Sequence, residues 1–167
     1  AMSHAKGHKF LHNNLKVLEN LLVTQQQVKN KSAEIYVVTE AVFSMDGDMP
    51  PLKAIASLCE KYSAYLIVDQ AHATGVIGPK GKGLVQELGL EDVIFASIVT
   101  FGKAIGCHGA AILGSGELKN YLINFARSFI YTTALPPHTI ATIRAAYSEL
   151  EQNSDAIKKL QNNISLL

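Results

Sequence analysis

Apolar residues along this chain follow two patterns, one with the period of a helix and one of short, mainly apolar runs without that period. The helical pattern is clearest after Asn13 and Asn14, either of which suits the position that caps a helix. Proline pairs at 50–51 and 136–137 favour helix starts. The last helix is expected to reach the C-terminus, with a candidate break at Asn153-Ser154. Four helices are thus predicted, over 14–27, 50–62, 117–128 and from 136 onward.

The mainly apolar runs without helical period predict strands that alternate with these helices. The runs lie at 35–39, 64–69, 93–99 and 110–113, and they have the length and character of strands buried in a parallel sheet. This alternation predicts an α/β fold, a three-layer sandwich with a mainly parallel sheet. We expect half of such a sandwich, in one domain with unpaired edges.

Composition excludes several classes of function. Hydrophobic residues make up 48% of the chain, and the formal net charge of +1 gives no electrostatic footprint for nucleic acid or a membrane surface. No apolar run reaches the roughly 18 residues that span a bilayer. Cys59 and Cys107 are too few for a disulfide scaffold, so we expect reduced thiols in a cytoplasmic protein.

Two of the predicted strands end in residues that carry chemistry. The run 64–69 leads to Asp69 and His72, and the run 93–99 leads to Thr100 and Lys103. Ligands of open α/β sheets bind beyond the carboxyl ends of the strands, so these side chains should converge. A lysine that can form a Schiff base, an Asp for a pyridinium nitrogen, an imidazole and a phosphate ligand together indicate pyridoxal phosphate.

Four collinear segments, 37–48, 68–78, 99–104 and 125–137, resemble the α-oxoamine synthases. These are fold-type I, class II aminotransferase-like enzymes that depend on pyridoxal phosphate. The resemblance implies that Lys103 is the Schiff-base lysine and Asp69 the partner of the pyridine nitrogen. The other cofactor-binding positions that it implies are His72 and Ser44 around the ring and its phenolic oxygen, Thr100 at the phosphate, and Thr132 and Thr133, which would reach a cofactor phosphate across a dimer interface.

The resemblance also implies a reaction and a size. The reaction is the decarboxylating condensation of an amino acid, L-alanine, with an acyl thioester such as pimeloyl-CoA or pimeloyl-acyl carrier protein, in biotin biosynthesis. Alternatives are another member of the family that joins glycine to acetyl-CoA, or a non-catalytic interaction subunit of the same fold. We expect residues 1–167 to be a fragment of the large domain, without its N-terminal part and the C-terminal small domain, and inactive in isolation. The whole protein is expected to be a homodimer.

Two residues depart from the family pattern. Gln70 stands where Asp or Glu is more usual, at a position expected to tolerate variation. His108 stands where members of the biotin pathway more often have Ser, which weakens the assignment to that subfamily more than the assignment to the family.

Rival interpretations of the same residues are weaker. Asp69 to His72 resembles a helicase Walker-B box, but neither Gly81-Lys82 nor Gly102-Lys103 has the glycine five residues earlier that a phosphate-binding loop requires. Ser44 lies in no nucleophile elbow, so a hydrolase is disfavoured. Asp46 and Asp48 are interpreted as turn formers around Gly47.

Two clusters of charged or metal-ligating residues have simple structural interpretations. His4, His8 and His12 recur at every fourth position, but the resemblance places them in an extended segment, where this spacing gives no common face for a metal. No metal site is therefore predicted. The basic residues Lys80, Lys82 and Arg127 lack interleaved aromatics and are interpreted as a solvated rim.

Overall fold

The structure, a computed structural model, describes residues 5–28, 33–152 and 155–166. All four strands lie in the first two thirds of the chain, among helices, and the remaining third contains only helices in its described residues. In chain order they are α1 (Leu15–Val28), β1 (Tyr36–Glu40), α2 (Leu52–Lys61), β2 (Tyr65–Asp69), a 3₁₀ turn (Pro79–Gly81), α3 (Leu84–Glu87), β3 (Ala96–Thr100), β4 (Ala110–Gly114), α4 (Gly116–Phe125), α5 (Arg127–Ile130), α6 (Pro137–Gln152) and α7 (Asp155–Ile164).

The four strands form one sheet in the order β1-β2-β3-β4. The first three strands are parallel, and β4 pairs antiparallel with β3. The predicted α/β class and the mainly parallel sheet are confirmed. The two parallel connections, β1 to β2 through α2 and β2 to β3 through α3, step the same way across the sheet. Since such connections are right-handed as a rule, α2 and α3 are expected on one face, and both contribute to the same core cluster.

The main core lies between that face and the helices α1, α2 and α3. Val37, Leu66 and Val68 point into it from the strands and are at most 5% exposed. Leu18 and Leu22 of α1 complete the same cluster. A second cluster packs Val99 and the loop after β3 against α6.

Most predicted boundaries are confirmed to within a residue or two. Asn14 is the residue that caps α1, since its Oδ1 accepts a hydrogen bond from the Val17 backbone N–H at 3.0 Å. Pro51 stands immediately before α2, as the proline pair predicted. The break expected at Asn153-Ser154 lies outside the described residues.

Two boundaries and one short helix differ from prediction. The strand predicted from residue 93 begins only at Ala96, because the N–H groups of Val93 and Ile94 both bond to the Leu90 carbonyl in a turn. The helix predicted over 117–128 is interrupted at Ala126, whose extended backbone (ψ 98°) separates α4 from α5. The short helix α3 was not predicted.

The opposite face of the sheet is largely exposed within the described residues. Tyr36 and Val38 of β1 are 50% and 58% exposed, and Ile112 of β4 is 54% exposed. At the amino ends of the strands, Tyr36 stacks on Tyr65 with ring centroids 5.2 Å apart, and both contact Phe95. The aromatic cluster and the exposed aliphatic side chains make this face an apolar surface.

None of the described helices combines the length and the apolar character that crossing a membrane requires.

Leu22→Ala tests the main core. Leu22 is 2% exposed, whereas Leu11 is 65% exposed. We expect Leu22→Ala to lower the free energy of unfolding by about 2–5 kcal/mol, because a cavity replaces a packed side chain. The control Leu11→Ala should change it by less than about 0.5 kcal/mol. Urea unfolding followed by circular dichroism measures both, and equal losses in the two variants would contradict this packing.

The two cysteines should differ in reactivity. Burial raises the pKa of the Cys59 thiol to about 11, so at neutral pH it carries almost no thiolate, the nucleophilic form. Cys107 is only half-buried. Iodoacetamide should therefore modify Cys107 in the folded protein and Cys59 only after unfolding, as read by peptide mapping. Fast modification of Cys59 under native conditions would show that α2 does not pack as described.

Candidate functional site at the carboxyl edge of the sheet

Asp69 and Thr100 lie at the same edge of the sheet because each is the last residue of a parallel strand. Asp69 ends β2 and Thr100 ends β3, its hydrogen-bonded neighbour. The ladder continues one residue further, since the Gln70 N–H donates to the Ile98 carbonyl at 2.8 Å. The two chain segments that leave the strands therefore start side by side.

Lys103 and His72 meet beyond that edge. Lys103 Nζ and His72 Nε2 are 2.6 Å apart, although 31 residues separate them in sequence. A hydrogen bond between two nitrogens requires that one of them donate and the other accept. At least one of the pair is therefore unprotonated at the shared position. The amine and the imidazole that the sequence predicted to converge are therefore in direct contact.

The loop that carries Lys103 is fixed at its base and exposed at its tip. Phe101 and Ile105 are each 8% exposed and pack in the second cluster, while Lys103 itself is exposed. Backbone bonds close the loop: the Phe101 N–H donates to the Gly109 carbonyl at 2.9 Å and the Cys107 N–H to the Phe101 carbonyl at 2.6 Å. The amine is presented by an anchored loop.

Asp69 is half-buried and has a local role as well. Its Oδ1 accepts a hydrogen bond from the Ala71 N–H at 2.8 Å, which starts the turn leading to His72. A carboxylate has two oxygens and about four acceptor sites, so this bond leaves capacity for a ligand. Asp69 can therefore cap the end of its strand and still pair with a pyridine nitrogen.

Thr100 has a hydroxyl that the described protein does not satisfy. Its Oγ1 is buried and has no hydrogen-bond partner among the described residues. Buried polar atoms are nearly always paired, and an exception calls for an explanation such as a ligand. A phosphate oxygen would accept from this hydroxyl, so the chemistry of the edge fits the phosphate of the predicted cofactor.

The other three predicted site residues stand apart from this group. Ser44 is exposed in the turn 44–46 after β1, and Thr132 and Thr133 are exposed between α5 and α6. Within the described residues, none of the three forms a hydrogen bond with Lys103 or its neighbours. Their predicted roles remain predictions.

A groove of about 480 Å³ runs beside Asp69 and adds residues that the sequence reasoning missed. It is lined in part by Glu40, Val38 and Phe43, and by residues 8–10, 12 and 13. Glu40 ends β1 in register with Asp69, which places two carboxylates on adjacent strand ends. The signal was present, because Glu40 follows a strand-like run just as Asp69 does.

His12 belongs to a polar cluster next to this groove. Its Nε2 lies 2.8 Å from Asp48 Oδ2, which also accepts from Asn13 Nδ2 at 2.7 Å. Asp46 is the third member, with ligand atoms within 4.8 Å. The turn predicted around Gly47 is confirmed, with φ +70° at Gly47, but its pairing with His12 was not predicted. His4 lies outside the described residues.

The family of the chain follows from comparison with known proteins. The model of the aminotransferase class I and II family matches residues 4–166, so the chain belongs to this family. The chain is 47% identical over 148 residues to a putative 8-amino-7-oxononanoate synthase of Geobacillus kaustophilus, covering 87% of this chain and 36% of that protein. To the 8-amino-7-oxononanoate synthase of Emericella nidulans it is 41% identical over 155 residues, covering 90% and 37%. The predicted likeness to the α-oxoamine synthases is thereby confirmed.

Solved structures agree with this assignment. Serine palmitoyltransferase from S. paucimobilis, solved with bound pyridoxal phosphate and myriocin, matches at a TM-score of 0.82 and 30% identity, over 91% of this chain and 38% of that one. The 8-amino-7-oxononanoate synthase from Francisella tularensis matches at 0.71 and 33% identity, over 86% and 42%. The chain spans little more than a third of the length of the curated relatives it matches.

Thr100→Val tests whether the buried hydroxyl is unsatisfied. Without a ligand, replacing it by a methyl group removes a polar atom that gains nothing from burial, so we expect the free energy of unfolding to rise by about 1 kcal/mol. The control is Thr74→Val, which loses a hydrogen bond of 3.0 Å to the Gln70 carbonyl and should be destabilised. Chemical denaturation compares the two, and a clear loss of stability in Thr100→Val would indicate a partner within the protein.

Proposed function

We propose that the protein containing this chain is a pyridoxal-phosphate-dependent acyltransferase that condenses L-alanine with a pimeloyl thioester to give 8-amino-7-oxononanoate, a step of biotin biosynthesis. The observation that carries the proposal is the contact between Lys103 and His72, which lies three residues after Asp69. The names of the relatives at 41% and 47% identity support this choice of substrates.

The cofactor would be held by the residues at the carboxyl edge. Lys103 would bind its aldehyde carbon, Asp69 its pyridine nitrogen, His72 its phenolic oxygen and Thr100 its phosphate. When bound, pyridoxal phosphate supplies an electron sink that stabilises a carbanion on the substrate carbon next to nitrogen. Asp69 supports this chemistry, since a carboxylate beside the pyridine nitrogen favours its protonated form.

Lys103 would transfer protons to and from the substrate, and His72 would support it by hydrogen bonding. Once substrate is bound, the Lys103 amine is the base that removes the α-proton of the amino acid, and later returns a proton to the product. His72 stabilises one protonation state of that amine by accepting from it or donating to it. His72 would also direct a hydrogen bond to the carbonyl oxygen of the acyl thioester, where negative charge develops on attack.

The partners of the whole protein would be the amino acid, the acyl-CoA or acyl-carrier-protein substrate, and a second subunit. Thr132 and Thr133 are exposed, and among the described residues neither forms a hydrogen bond with Lys103. This suits the role, implied by the family resemblance, of reaching the cofactor phosphate of the neighbouring subunit. A homodimer would therefore complete each site.

A second candidate is condensation of serine with a longer acyl thioester. It is favoured by the higher TM-score to serine palmitoyltransferase, 0.82 against 0.71 for the Francisella tularensis enzyme. Sequence identity favours alanine and the pimeloyl group. Assaying the whole protein with alanine or serine against pimeloyl-CoA or palmitoyl-CoA separates the two candidates.

Reductive trapping tests the cofactor site directly. The chain is incubated with pyridoxal phosphate, reduced with borohydride and mapped by peptide mass spectrometry. We expect the label to concentrate on Lys103, because Asp69 and Thr100 would hold the ring and phosphate near this amine, which His72 contacts. Lys103→Ala should lose this label and Lys53→Ala, on the exposed side of α2, should keep it. Labelling spread evenly over the lysines would argue against a formed site.

A further inference from the structure

Gln70 has every polar atom engaged, although it is completely buried. Its side chain is 0% exposed. Oε1 accepts from the Val85 N–H at 2.9 Å, and Nε2 donates to Ser97 Oγ at 2.9 Å and to Gln86 Oε1 at 3.2 Å. Its backbone N–H donates to the Ile98 carbonyl. A buried polar network that is fully satisfied fixes one arrangement of the groups it joins.

The groups joined by Gln70 carry the site. Gln70 follows Asp69 directly, and its carbonyl accepts from the N–H groups of Ala73 and Thr74 at 3.0 and 2.9 Å, closing the turn in which His72 lies. Ser97 and Ile98 belong to β3, the strand whose extension carries Lys103. One residue therefore ties the segment bearing the imidazole to the strand that leads to the amine.

The surroundings of Gln70 are shaped to hold its amide in this position. Gly83 comes so close that a Cβ there would lie 2.4 Å from Gln70 Oε1, and its φ of +118° is one that other residues rarely adopt. The absence of a side chain at 83 is what admits the amide beside the start of α3.

We infer that Gln70 is a positioning residue, whose amide sets the placement of His72 against Lys103. The inference rests on the proposed function only in treating these two side chains as the working pair. It assigns the effect to hydrogen bonds rather than to volume. A carboxylate at this position could still accept from the Val85 N–H, the Ser97 hydroxyl and a Gln86 amide turned over, whereas a thioether could do none of these.

Three variants separate hydrogen bonding from volume and from stability. Gln70→Met keeps a similar volume and loses the bonds, Gln70→Glu keeps acceptors, and Ile55→Val weakens the same fold at a residue of α2 that is 1% exposed. The first readout is the ¹⁵N signal of the His72 ring, assigned with His72→Asn and followed against pH, in the chain without cofactor. The second is the fraction of borohydride-trapped pyridoxal phosphate found on Lys103.

We expect Gln70→Met to shift the His72 ring signal and its titration and to reduce the Lys103 fraction by roughly tenfold, since displacements of this kind strongly impair a preorganised site. Gln70→Glu should retain most of both, and Ile55→Val should match the wild type. An unchanged His72 signal in Gln70→Met, or an equal change in Ile55→Val, overturns the inference.

Two further outcomes can be interpreted: a Gln70→Met variant that does not fold, and a wild type that is not labelled at Lys103. If Gln70→Met does not fold, as judged by circular dichroism, the double variant Ser97→Ala with Gln86→Ala removes the two Nε2 partners instead, and an unchanged His72 signal there overturns the inference. If the wild type does not label at Lys103 while the His72 signal responds to Gln70→Met, the proposed cofactor site is wrong and the positioning role of Gln70 stands.

Discussion

The parallel pairing of β2 with β3 is the constraint on which the site depends. Strands of one direction bring their carboxyl ends to one edge, and the short register from Ile67 to Asp69 against Ala96 to Ile98 sets how the two exits align. A shift of this register by one residue would turn Asp69 to the opposite face of the sheet and separate it from Thr100. The contact between His72 and Lys103 depends on the same register, because each lies three residues beyond a strand end.

Much of this arrangement could be predicted from the sequence because it depends on short-range patterns. Buried parallel strands are mainly apolar, and the polar residue that ends each strand marks the edge, as Asp69 and Thr100 do. Proline before α2 and Asn14 before α1 act locally, so their signals survive any tertiary context. The start of β3 could not be predicted, since Val93 and Ile94 have strand propensity but the Leu90 carbonyl holds them in a turn.

The parts that the sequence did not predict are those made by pairing between distant segments. His12 forms a hydrogen bond with Asp48, 36 residues away in sequence, and Gln70 forms one with Ser97, 27 residues away. Nothing in the local pattern of Gln70 indicates a fully engaged amide; its departure from the acidic residue more usual in the family invites the opposite conclusion. Glu40 was overlooked for a different reason, because a lone carboxylate at a strand end gains meaning only once Asp69 is seen beside it.

The order of the strands across the sheet is the same as their order along the chain. Among the described strands, β2, β3 and β4 therefore each pair with the strand that precedes them along the chain. The parallel partners are nevertheless far apart in sequence, since Tyr36 pairs with Tyr65 and Ile67 with Ala96, and such pairing is slow because a long loop must close first. The pairing of β1 with β2, which sets Asp69 beside Glu40, uses only residues that precede the loop of Lys103, so this half of the edge can form without that loop.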